Sequence, residues 1–160
     1  METDKIEKIL EDSRKHLMKH FPFKGQLDLI VLKGHLLIEQ LLWQFVDTRV
    51  EYPNALEPFK DPNRPFSPKI LVRFAQSLDK NEEFAWVWKA IRDLITIRNS
   101  LAHRLEDEKL DKKIENLAEY LSRFIGKALT ETRDYEMQLK TSIMAILSVL
   151  STLLVKGRGD

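Results

Sequence analysis

Proline placement limits what this chain can fold into more than any other feature. All but Pro22 of the six prolines fall between Pro53 and Pro68, and only five glycines occur. Proline breaks a helix by removing a backbone donor, and glycine weakens one. The long stretches outside that window therefore run uninterrupted, which predicts an all-α protein. A length of 160 residues suits a single domain over 1–160, large enough to bury a real core. Hydrophobic residues at 43% and charged residues at 32% are ordinary for a globular chain.

Apolar spacing predicts a first helix over about Asp4 to His20, ended at Phe21 by Pro22. A second, about Gln26 to Val46, is apolar nearly all round and is the expected central helix. Next comes "DTRVEYPNALEPFKDPNRPF", a long loop or a short helical excursion. Ser67-Pro68 reads as an N-cap with proline at the first helical position, opening "KILVRFAQSL". The helix "FAWVWKAIRDLITIRNSLAH" carries Phe84, Val87, Ile91, Leu94, Ile95 and Leu101 at helical spacing, with Asn81 as its cap. After the charge run "RLEDEKLDKK", a helix over about Asp111 to Leu129 and a last one ending near Val155 are expected. The prediction is a bundle of about five to six helices with one long Pro-rich loop.

Cysteine is absent, which excludes disulfides, thiolate metal sites and cysteine nucleophiles. The start, "METDKIEKILEDSRK", carries no secretory apolar region, so a cytoplasmic location is expected. The apolar run "IMAILSVLSTLLV" is shorter than the roughly 20 residues that cross a bilayer, so it reads as a core or dimer-interface helix, with no membrane partner expected. A formal net charge of +1 gives no global basic signature, and any nucleic-acid contact must be local.

The segment "LITIRNSLAHRLEDEKL" holds the candidate chemistry. Asn99 and His103 are four apart and share a helix face, so the amide can orient the imidazole. Arg98 is five from His103 and converges on it through its length. A histidine in a last helical turn also feels the negative end of the dipole, which favours its protonated form. RNA cleavage by the 2′-hydroxyl needs a base, an acid and a cation on the developing phosphorane charge. Histidine serves the first two near neutral pH and arginine's planar fork serves the third. No metal or other cofactor is required. One chain offers one histidine, so two chains about a twofold axis would supply both acid and base. The spacing by itself is a weak signal, since Arg14 and His20 stand at a similar one without the asparagine.

Arg98-Asn99-x-x-x-His103 resembles the Arg-x-x-x-x-His motif of the HEPN superfamily, in which a polar residue often follows the arginine. The resemblance covers about Leu32 to Arg104: "KGHLLIEQLL", a loop, "FSPKILVRFAQSL", then the helix ending "IRNSLAH". It is particularly similar to the branch containing the mannitol operon repressors. The resemblance implies a helical bundle, a homodimer, and a metal-independent ribonuclease acting as a toxin or defence effector, with an antitoxin or other protein partner. Carried over, Arg98 would bind phosphate, Asn99 would support it and His103 would be the acid/base. Leu105 stands where toxins paired with nucleotidyltransferase antitoxins have tyrosine, which argues against that pairing. The repressor branch also implies an alternative, a non-catalytic regulator or interaction module.

Other residues have two readings each. His35 and Glu39 share a face of the apolar second helix, as a buried ion or hydrogen-bond pair, or with Glu39 holding the Arg98 guanidinium. Lys69 and Arg73, with Lys60 and Arg64, place positive charge where an RNA strand could pass, or simply form a solvated surface. Trp43, Trp86 and Trp88 are core residues or base-stacking platforms. His16 and His20 are polar-face histidines, or two ligands of a metal that lacks a third.

Overall fold

The computed structural model describes residues 27–63, 66–102 and 109–156, together with Asp12, Lys15 and Lys19. Among these, every regular element is helical. They form a bundle: α1 (Leu27–Asp47), a 3-10 segment (Pro53–Lys60), α2 (Pro68–Leu78), α3 (Trp86–Ala102), α4 (Leu110–Ile125), a single turn α5 (Ala128–Glu131) and α6 (Tyr135–Lys156). The expected first helix lies outside the described residues except at those three exposed positions.

Helix α1 is central, as its composition predicts. It buries Ile30, Ile38, Leu42, Phe45 and Val46 against α2, α3 and α6, and it packs most extensively on α6. Gly34 makes that packing possible. A Cβ there would lie 2.8 Å from both Cγ2 and Cδ1 of the fully buried Ile143, so only a residue without one lets the helices approach this closely. Arg49 ties the far ends of the same pair together. Its Nη2 donates to the Leu153 carbonyl at 2.7 Å, an acceptor in the last turn of α6, while its guanidinium lies 3.6 Å from the Phe45 ring centroid.

The Pro-rich stretch is the helical excursion. Phe66 fastens it, with ring centroids 5.2 Å from Phe59, 5.9 Å from Trp43 and 6.5 Å from Phe74. Helix α2 starts at Pro68, but the Ser67 side chain makes no capping hydrogen bond. Helix α3 starts at Trp86, two residues after the expected Phe84, because the Asn81 side-chain Oδ1 accepts the Glu83 amide at 3.0 Å and closes a turn first. The helix expected to run to Leu129 stops at Ile125, since Gly126 takes φ +111° and its amide turns back to Ser122 at 3.2 Å.

Helix α6 is longer than its apolar core run, because it continues N-terminally through "YEMQLKTS" to an Asp134 cap whose Oδ1 accepts the amides of Glu136 and Met137. At 22 residues it removes the length argument drawn from the sequence. Both α6 and α1 are long and apolar enough to cross a membrane, with 56% and 44% of their apolar windows buried inside the protein. Four α6 hydroxyls fold back on their own helix: Ser142, Ser148, Ser151 and Thr152 each donate to the carbonyl four residues earlier.

Candidate functional site

Helices α1 and α3 run in opposite directions. Phe45 meets Trp88 edge-on at one end, with ring centroids 5.4 Å apart, and His35 and Glu39 come under the charge of Arg98 at the other. The α3 sequence places Arg98 beyond the last buried apolar residue of its helix, Ile97, where the side chain emerges into solvent. Its Nη1 donates to the Asn99 side-chain Oδ1 at 3.3 Å. Two of the three expected catalytic residues are thus in contact, and the third, His103, lies outside the described residues. The Asn99 oxygen faces the arginine, which leaves its amide nitrogen as the group that can serve a neighbouring ring.

Beneath this end lies His35, buried to 5% exposure, with Nε2 3.7 Å from Glu39 Oε2. Burial, helped by the Arg98 charge, pushes the His35 imidazole down to about 4, so the ring is neutral at pH 7 and the two do not form an ion pair. Burial pushes the Glu39 carboxyl up, and the Arg98 charge opposes that only in part. Among the described residues Arg98 and Glu39 share a field without an ion pair within 4 Å.

The crevice between His35, Glu39, Pro68 and Ile95 holds about 10 Å³, the space of roughly one water, so a substrate must lie on the surface above it. Pro68 brings the start of α2 to this edge. Lys69 follows it directly, and Arg73 lies one turn on, both exposed. Among the described residues no group of three His, Cys, Asp or Glu side chains is placed to hold a metal ion, and His16 and His20 lie outside them. Trp88 is core, fully buried, with its Nε1 donating to Asp79 at 2.7 Å, while Trp43 and Trp86 are half-buried.

Two polar contacts beside the site escape sequence reasoning. Lys113 of α4 donates to the buried Ser100 hydroxyl, and Arg92 Nη1 donates to Gln76 Oε1 at 2.7 Å across α3 and α2. Both pairs are distant in sequence, and neither has a spacing signal. The Ser100 pair carries one hint, a hydroxyl on the same turn as Arg98. Compared with protein-family models, curated proteins and solved structures, the chain matches none.

Proposed function

We propose that this chain is a metal-independent endoribonuclease of the HEPN type, acting in the cytoplasm as a homodimeric toxin or defence effector. The observation that carries the reading is the Arg98–Asn99 pair at the end of α3, with no ion pair within 4 Å between the arginine and Glu39 among the described residues. An exposed fork above a buried, neutral imidazole is suited to hold a phosphodiester. His103, four residues beyond Asn99, then takes the proton from the ribose 2′-hydroxyl as that oxygen bonds to phosphorus. The partner's His103 protonates the departing 5′-oxygen, and the product is a 2′,3′-cyclic phosphate. Arg98 stabilises the charge gathering on the phosphoryl oxygens, and Lys69 and Arg73 guide the strand.

Dimerisation has a surface to use. Leu32 and Leu36 are 45% and 54% exposed on α1, one turn apart, and Leu36 stands one turn from Glu39.

The test is cleavage of RNA in EDTA. His103→Ala should abolish it with the circular dichroism spectrum unchanged. Arg98→Lys, which keeps the charge and loses the fork, should slow it by about 100-fold or more, and Asn99→Ala should be milder. A requirement for added metal would overturn the mechanism. Wild-type protein inert on RNA, yet binding a protein partner through Arg98, would make the chain a regulator similar to the mannitol operon repressors.

A further inference from the structure

Away from the helix end, the outer side of α3 carries an aromatic cluster that the catalytic proposal does not use. Trp86 and Phe124 are stacked, ring centroids 5.0 Å apart and planes within 7°. Tyr120 meets Phe124 edge-on at 5.3 Å, and its hydroxyl donates to the Trp86 carbonyl at 3.2 Å, which fixes the cluster to the start of α3. Phe124 is nonetheless 48% exposed, a large apolar ring left in water on a rigid support.

The cluster is bordered by positive charge. Lys89 Nζ lies 4.3 Å from the Tyr120 ring centroid, and Arg92, one turn further along α3, feels both the Tyr120 hydroxyl and the Arg73 guanidinium. Gln76 holds Arg92 towards α2 at 2.7 Å, on the side where Arg73 and Lys69 recur at helical spacing. Arg73 and Arg92 are like charges in one another's field, and an anion between them would be attracted to both. Asp93, the acid on this part of α3, pairs with Lys89 and offsets part of the Arg73 repulsion at Arg92.

We propose that the face formed by α2, α3 and α4 is a single-strand track, with a nucleobase stacking on Phe124 and the phosphodiester backbone lying between Arg73 and Arg92. Stacked aromatics beside a basic groove are the combination by which single strands are held without reading sequence. The track rests on the ribonuclease reading above, and extends it by naming where a substrate strand lies beyond the scissile phosphate. From Trp86 to Asn99 the helix rises about 20 Å, a span of a few nucleotides.

A 2′-O-methyl oligouridylate tests the track independently of cleavage, because it lacks the attacking hydroxyl. Wild-type protein should bind the fluorescein-labelled oligomer, read by anisotropy. Phe124→Ala and the better-packed Phe124→Leu should both weaken binding about tenfold. Arg73→Glu should weaken it and make the slope of log affinity against log salt shallower by about 0.7 for every phosphate the protein then fails to neutralise. An abasic sugar-phosphate oligomer should bind more weakly and be indifferent to Phe124→Leu. Binding unchanged in the Phe124 and Arg73 variants, or absent in wild type, overturns the track, and retained RNA cleavage in that case leaves the catalytic reading standing. Phe124-dependent binding by a protein that cleaves no RNA supports the track and refutes the ribonuclease.

Discussion

His35 shows how a single side chain can report on the candidate site. Its ring is buried and neutral, with Glu39 at 3.7 Å and the Arg98 charge beside it. A histidine whose folded value is lowered from 6.5 to about 4 takes up its proton in the unfolded chain first, so stability falls as pH drops through that window. Glu39 acts in the opposite direction, because its raised value favours the folded state once it is protonated. The His35 contribution is isolated by difference. Urea unfolding of wild type should lose up to about 3 kcal/mol more between pH 6.5 and 4 than unfolding of His35→Gln. Equal losses would mean that the ring reaches water. Sequence spacing made the His35–Glu39 pairing legible, because four residues on a helix are neighbours. It could not reveal that the pair is uncharged on the histidine side, since burial depends on helices far away in the chain.

Among the elements, boundaries were legible where the backbone chemistry is local. Pro68 opens α2 and the apolar run of α1 ends within a residue of the expected place. The break at Gly126 escaped because a lone glycine inside a helical pattern is compatible with continuation, and only its positive φ marks the stop. The close approach at Gly34 was likewise invisible, since it depends on Ile143. Gly34→Ala sets a helix-propensity gain of about 1 kcal/mol against overpacking of about 1–3 kcal/mol. The expected net result is a melting temperature lower by roughly 2–4 °C. In an Ile143→Ala background the clash is gone, and Gly34→Ala should become stabilising. Additive melting shifts in the double variant would refute the contact.

For the whole molecule, periodicity was enough to read the all-helical bundle, and the facing of elements was what it left open. Arg73, Arg92, Tyr120 and Phe124 come from three helices, and nothing in their spacing places them on one surface. Leu36→Glu puts a charge on the exposed leucine stripe of α1 without touching the core. Sedimentation should show a dimer for wild type at micromolar concentration and a folded monomer for Leu36→Glu, with RNA cleavage lost in the monomer. A dimer of undiminished activity would locate the interface elsewhere. The pairing of α1 with α6 also bears on how the protein is made. Arg49 reaches the Leu153 carbonyl across 104 positions of sequence, and the most extensive helix packing joins the same two elements. During synthesis the side of α1 that packs on α6 therefore waits, exposed, until α6 has left the ribosome. Cooperative folding is a late event, and nascent chains stalled before α6 are natural clients for chaperones and proteases.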